Sequence, residues 1–273
     1  MSPLTHDESL ALHQRLIDRE NERDNILLQE RDYYVVKSNV LIQKSRFTLS
    51  LQEQRIILYF ISKIRPEDTE LKEYSFSIKE FCNICGVDYK AGGKIYSDIK
   101  FAIKTLADKS IWVELEDKKE TLIRWIEKSI IDKRNRTIKI RLDKDLMPYL
   151  LELRERYTSY PLLNIIAMNS KYGIRLYELL KSYANLKSKR FTVMELRMRL
   201  GAETKSYDNI TNFQNKVLFP ALRDIDSYSD LKVTPILIKD KNKIVAIEFI
   251  ISVIVDINDK IEKWNRIEES IKK

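Results

Sequence analysis

Only five glycines occur in 273 residues: Gly86, Gly92, Gly93, Gly173 and Gly201. Average usage is roughly 7%. Loops that cradle phosphates need glycines at close spacing, and neither G-x-x-x-x-G-K-[ST] nor G-x-G-x-x-G occurs. A nucleotide-driven enzyme is therefore not expected, nor is any cofactor. Histidine is scarcer still, with His6 and His13 alone, both in an acidic N-terminal segment. Cys82 and Cys85 form a C-x-x-C, but a zinc site needs a second ligand pair and none exists. Two thiols on one helical turn can form a redox pair, yet the plainer reading is two small hydrophobes on the inner face of a helix. No apolar run reaches the ~18 residues of a membrane helix. The longest, Ile244 to Val255, is broken by Glu248 and Ser252. Met1 to Arg23 is polar and charged, so no signal peptide and a cytoplasmic protein are expected.

What is present is a basic body large enough to bury a core. The length suits about two domains of ~100–200 residues, and 44% of the chain is hydrophobic. Net charge is +8. Residues 1–34 hold eight acids (Asp7, Glu8, Asp18, Glu20, Glu22, Asp24, Glu30, Asp32) and four arginines, hence −4, which leaves +12 on the remainder. A body of that sign suits a polyanionic partner, nucleic acid ahead of a membrane surface.

Three capping boxes mark helix starts: Ser50-Leu51-Gln52-Glu53, Ser77-Ile78-Lys79-Glu80 and Thr192-Val193-Met194-Glu195. The first opens a helix to about Lys63 that buries Leu51, Ile57, Leu58 and Ile61. The second helix stops at Gly86, a plausible C-cap, and the third ends at Gly201. Longer helices follow from about Lys94, with Ile95, Ile99, Ile103 and Leu106 inward, and from about Asn209, with Phe213, Val217 and Leu222 inward. Pro220 should bend or interrupt the second of these. Strands come next in each half. Ile111–Leu115 alternates, and Thr121–Ile131 pairs with Thr137–Leu142 as a hairpin. Leu231–Lys239 pairs with Lys243–Val255. Tyr157-Thr158-Ser159-Tyr160-Pro161 reads as the linker.

The halves repeat. Phe76-Ser77-Ile78-Lys79-Glu80 answers Phe191-Thr192-Val193-Met194-Glu195, and Leu58-Tyr59 answers Leu176-Tyr177. Gly86 and Gly201, then Ile95 and Ile210, follow at matched spacing. Helix, short helix, turn, longer helix, hairpin is the winged-helix order, so an α+β fold of two tandem winged-helix domains is expected. The divisions are an acidic arm over 1–32, domains over 33–156 and 157–257, and a polar terminal helix over 258–273.

In such a domain the longer helix lies in the DNA major groove and the hairpin is the wing. In the second domain the DNA-facing residues are Asn209, Asn212, Asn215 and Lys216, preceded by Lys205 and Ser206, with Lys241 and Lys243 at the wing tip. Asn pairs with adenine N6 and N7, and Asn is a poor helix former, so three of them on one helix ask for a reason. Base reading is one reason; capping by Asn209 and a solvated surface for the others is the alternative. In the first domain they are Lys90, Lys94, Ser97, Lys100 and Lys104, with wing tips at Lys118, Lys119, Arg134 and Arg136. That set favours phosphate contact over base reading.

Several stretches carry a family resemblance. Val36-Lys37-Ser38-Asn39 and Leu49-Ser50-Leu51-Gln52-Glu53-Gln54-Arg55 resemble the opening of the Rep_3-type initiators of iteron plasmids. Ser170-Lys171-Tyr172-Gly173-Ile174-Arg175-Leu176-Tyr177-Glu178-Leu179-Leu180-Lys181 is similar to their most distinctive stretch, and Phe213, Val217-Leu218 and Pro220-Ala221 to their recognition helix. The resemblance implies monomers on directly repeated double-stranded DNA at a plasmid origin, and opening of an AT-rich segment with host replication factors such as an initiator and a helicase. It also implies a dimer, paired through the first domain, that represses the protein's own promoter. Two other classes compete. A dimeric transcription regulator would bind an inverted repeat. A nicking enzyme would need a metal-binding histidine cluster beside a nucleophilic tyrosine, and the two histidines lie seven apart in the arm. A non-enzymatic DNA binder is expected.

Overall fold

The computed structural model describes residues 34–65, 68–85, 95–151, 153 and 156–271. The acidic arm lies outside them. The first half runs β1 (Tyr34–Ser38), α1 (Asn39–Gln43), β2 (Ser45–Arg46), α2 (Leu51–Ile61), β3 (Tyr74–Ser77), α3 (Ile78–Cys85), α4 (Ile95–Ala107), β4 (Ser110–Glu114), β5 (Glu120–Arg124), β6 (Ile126–Asp132), β7 (Thr137–Leu142) and α5 (Met147–Leu150). The second runs β8 (Tyr157–Pro161), α6 (Leu163–Ile166), α7 (Lys171–Lys181), β9 (Ser188–Thr192), α8 (Val193–Arg199), α9 (Ile210–Phe213), α10 (Phe219–Tyr228), β10 (Leu231–Asp240), β11 (Lys243–Val253) and α11 (Ile257–Ile271). The fold is α+β, with one winged-helix unit in each half.

The sequence repeat reappears in the strand order. β3 pairs with β7 and β7 with β6; in the second unit β9 pairs with β11 and β11 with β10. Each time a hairpin is joined by the strand that leads into the short helix. Phe76 lies opposite Ile138 and Phe191 opposite Ile247, and all four are buried. The matched spacing of the two halves thus places one phenylalanine in each sheet at the foot of its helix-turn-helix. The polar terminal helix α11 docks on the second unit through buried Ile267, and Lys263 Nζ donates to Ser229 O at 2.8 Å.

Two sequence readings are corrected. Tyr157–Pro161 is a strand, β8, paired antiparallel with β1 in the register Val35 to Tyr160 and Lys37 to Thr158. Thr158 and Tyr160 point inward while Tyr157 and Ser159 point out, a period of two that polar content and Pro161 conceal. Thr121–Ile131 is not one strand either. It breaks at Trp125, which is buried edge-on against Phe47 with ring centroids 5.3 Å apart. β4 and β5 therefore join β2 in a sheet of their own, and only β6–β7 forms the first wing.

The corresponding helices α2 and α7 sit at the junction of the halves. The sequence marks one apolar stripe on α2, but every residue from Ile56 to Ile61 is buried because the helix is covered on all sides. Its capping box is complete: Glu53 N donates to Ser50 Oγ at 3.3 Å and Ser50 N to Glu53 Oε2 at 2.7 Å. Gln54 Nε2 donates to Lys171 O at 3.0 Å and an Arg55 guanidinium nitrogen to Met168 O at 2.8 Å, crossing between halves.

A charged cluster is buried at the same junction. Glu178 of α7 pairs with Lys37 of β1 and accepts from the Tyr160 hydroxyl. Arg175 Nη1 lies 3.8 Å from Glu178, while Nη2 donates to Ile42 O at 2.8 Å and Ser45 O at 3.0 Å. Nε donates to Arg199 O at 3.0 Å, and the guanidinium covers the Phe47 ring at 4.6 Å. Burial pushes the Lys37 ammonium below its ordinary range, with Glu178 opposing, and pushes Arg175 down to about 10.

Burial also raises two phenols at this junction, Tyr160 and Tyr177, well above the ordinary 10.0. In the unfolded chain both lose their protons near ~10. Above that pH the unfolded state binds fewer protons than the folded one, so stability falls as pH rises; below it both states are protonated and the phenols contribute no pH dependence. A spectrophotometric titration should show a group of tyrosines that ionises only together with unfolding. Smooth ionisation of all 14 tyrosines near ~10 with the fold intact would contradict this.

Candidate nucleic-acid interface

In the first unit α4 buries Ile95, Ile99, Ala102, Ile103 and Leu106 against the core. Helical spacing then turns Ser97, Lys100, Phe101 and Lys104 outward together, and all four are exposed. Lys104 Nζ meets Asp108 at 2.6 Å in an exposed pair that solvent weakens. The β6–β7 turn is fastened to the start of this helix. The Tyr96 hydroxyl donates to Lys133 O at 3.5 Å, and Lys133 Nζ stands 5.5 Å from the Tyr96 ring centroid. Arg134 and Arg136 project from that turn, so they share a wing with the helix face. Lys118 and Lys119 do not. They occupy the β4–β5 turn, in the separate sheet, and that hairpin is tied to α8 of the second unit by Arg199 and Glu114 at 3.1 Å. Lys90 and Lys94 lie outside the described residues.

In the second unit α8 ends as the sequence predicts. Gly201 takes φ +65, Gly201 N donates to Met198 O at 3.1 Å and Ala202 N to Arg197 O at 2.8 Å, a Schellman closure. A Cβ at Gly201 would stand 2.6 Å from Phe47 O, so the turn presses on the first unit. Arg197 shapes the following turn: its guanidinium donates to Ala202 O at 3.2 Å and Thr204 O at 3.3 Å and pairs with Asp208 at 2.7 Å. Lys205 and Ser206 are exposed on that turn.

The three asparagines have three different positions. Asn209 is the N-cap of α9 and accepts from Asn212 N at 3.1 Å. Asn212 is half-buried, and its Nδ2 donates to Ser206 O at 3.1 Å. Asn215 is exposed beside exposed Lys216. Local backbone bonding therefore accounts for the first two, and Asn215 is the outward amide. Pro220 has the expected effect in a particular form. It cannot donate to the carbonyl four residues back, and the helix widens into a π-turn over Gln214–Leu218 before α10 resumes. Thr211 and Phe219 also face outward, and Phe219 is 39% exposed. At the wing tip Lys241 and Lys243 are exposed.

The glycine shortage has a local consequence at these tips. Arg136 (φ 52) and Lys241 (φ 52) take left-handed backbone positions that glycine usually fills. Cationic side chains thus stand at the apex of each wing. Sequence reasoning missed Phe101 and Phe219 because it sought polar donors on the reading helices, and it passed over Lys133 although that residue adjoins Arg134 in the same turn. The signal available for the two phenylalanines was their helical spacing, which sets Phe101 off the inward Ile95, Ile99 and Ile103 positions and Phe219 off Phe213 and Val217.

A family model described as "Initiator Replication protein, WH1" matches residues 34–181, and one described as "Initiator Rep protein, WH2" matches residues 192–251. The chain belongs to the replication initiator family. The first match runs past the division expected at 156/157 and takes in α7, in keeping with that helix's burial at the junction. The initiator's fold is similar to that of the Pi initiator protein, solved as a crystal structure in complex with iteron DNA. The two are 18% identical, with a TM-score of 0.64 over 83% of this chain and 100% of the other. Among the initiator's described residues no helix is long and apolar enough to cross a membrane.

Proposed function

We propose that the initiator binds directly repeated double-stranded DNA at a plasmid origin and there starts plasmid replication, acting in the cytoplasm as a binder and not as a nuclease. One observation carries this: two copies of one helix-turn-helix and wing, each with an exposed cationic face, on a chain of the initiator family. The likeness to a fold solved on iteron DNA supports it. Two reading helices on one chain fit successive major-groove faces about one turn, roughly 10 base pairs, apart. Asn215 is the residue we assign to base reading in the second unit. Asn215→Ala should lower affinity for the repeat by about 1–3 kcal/mol, with a smaller effect on scrambled duplex. Fluorescence anisotropy with both duplexes measures this. Equal losses on the two would remove Asn215 from base reading, and equal wild-type affinity for the two would overturn the function itself. Supercoiled origin DNA incubated with the protein and magnesium should stay uncut.

The same reading includes a dimer that represses the protein's own promoter, and contact with host replication factors at the origin. For the dimer we assign the outer face of β4–β5. Trp112 and Leu122 lie directly opposite each other across the strands, 44% and 53% exposed, and β5 is an edge strand able to pair with a second copy. Trp112→Lys should shift the sedimentation mass toward monomer while leaving binding to a single repeat intact. An unchanged mass distribution would place the dimer contact elsewhere.

A further inference from the structure

Phe101 is 71% exposed, more than any other aromatic side chain among the described residues. Single exposed hydrophobes are ordinary; the position of this one is not. It sits in the middle of the outward face of α4, with Lys100 beside it, Ser97 one turn before and Lys104 one turn after. The wing turn with Lys133, Arg134 and Arg136 is fastened to the same helix through Tyr96. The apolar pair Trp112 and Leu122 belongs to another sheet. Phe101 is thus an apolar group beside Lys100 and Lys104 on the second helix of a helix-turn-helix, with the half-buried Asp98 one turn before it and Asp108 paired to Lys104 beyond.

The repeat supplies an independent observation. The offset that carries Phe76 to Phe191, Gly86 to Gly201 and Ile95 to Ile210 carries Lys100 to Asn215, Phe101 to Lys216 and Lys104 to Phe219. Phe219 is 39% exposed on the outward face of its helix. Both reading helices therefore present one phenylalanine beside a lysine, in exchanged order.

A surface of cations selects a polyanion, and the phenylalanine needs an apolar spot within it. Duplex DNA offers one such spot in the major groove, the thymine C5 methyl group. We infer that Phe101 reads a thymine by contact with its methyl group, which makes the first winged-helix unit a sequence reader as well as a phosphate grip. This rests on the function proposed above and goes beyond the phosphate-gripping role that the sequence suggests for this unit.

The test uses the full chain and a duplex carrying one origin repeat, with each thymine replaced in turn by deoxyuridine, which lacks only the methyl. In the wild type, one replacement under the first unit should weaken binding about fourfold, the effect of one methyl group returned to water. Phe101→Ala should weaken binding to the unmodified repeat to a similar extent and no longer sense that replacement, while Phe101→Leu keeps part of the effect. The salt slope and urea midpoint of Phe101→Ala should match the wild type, because no cation and no core group is lost. Wild-type selectivity for the repeat with the deoxyuridine effect intact in Phe101→Ala would overturn the role of Phe101 alone. So would a changed sedimentation mass with unchanged DNA binding, which would make Phe101 a protein contact. No wild-type preference for the repeat over scrambled duplex would overturn the proposed function and this inference together.

Discussion

Replacing Glu178 by Ala is expected to destabilise the fold by about 3–5 kcal/mol, read as a lowered urea midpoint. Glu178 is 1% exposed and is the only carboxylate paired with buried Lys37 and Arg175 among the described ion pairs. Its removal leaves two buried cations with one set of partners gone. Arg175 keeps the carbonyls of Ile42, Ser45 and Arg199, but Lys37 loses its counter-charge in a site whose burial already depresses its pKa. Removing both charges is less harmful than removing one, since the desolvation cost disappears with the attraction. The double variant Lys37→Met, Glu178→Leu should therefore unfold at a higher urea concentration than Glu178→Ala. The consequence reaches function, because this cluster joins β1 and the α1–β2 segment to α7. A loosened junction no longer holds two reading helices at one spacing, so affinity for a full repeat should fall more than affinity for a half-length duplex. An unchanged midpoint in Glu178→Ala would show that the cluster does not hold the junction.

The second large effect is on ionic strength. If six to ten of the exposed cations on the two helix faces and wings meet phosphates, affinity should fall about 10³–10⁵-fold between 50 and 200 mM salt. The geometry says which side chains set that slope. Lys100, Arg134, Arg136, Lys205, Lys216, Lys241 and Lys243 lie on the reading helices, the second turn and the two wings, and all are exposed. Replacing one that contacts phosphate should weaken all duplexes alike and lower the slope by about 1. Lys118 and Lys119 stand on the β4–β5 turn of the separate sheet, so Lys118→Ala with Lys119→Ala should leave the slope as it was. Equal slope changes from Lys100→Ala and from the Lys118, Lys119 pair would contradict the assignment of the wing to β6–β7.

Local chemistry was legible in the sequence wherever one residue settles a backbone question. Ser50 and Glu53 form the predicted capping box, Gly201 closes α8, and Pro220 disturbs its helix. The duplicated Phe, Gly and Ile positions also foretold two copies of one sheet and helix arrangement. Features set by distant partners were hidden. β8 reads as a linker because its partner β1 lies more than a hundred residues earlier in the chain. Trp125 divides a strand because Phe47 supplies a site for its ring. All-round burial of α2 and α7 follows from packing between halves, which a single apolar stripe does not reveal. In the site, composition made the three asparagines look alike. Only their bonds separate Asn209 as a cap, Asn212 as a brace on Ser206 and Asn215 as the outward amide. Charge likewise marked three loops as candidate wing tips without showing that one of them belongs to a different sheet.

A hydroxyl-radical and methylation-protection footprint of the purified chain on its origin DNA would bear most directly on two tandem reading units in an initiator. The expected result is protection recurring in each of several direct repeats. Within each repeat, major-groove protection should fall on two successive faces of the duplex about one turn, roughly 10 base pairs, apart. Protection confined to one inverted repeat, or to a single major-groove face per bound molecule, would contradict it.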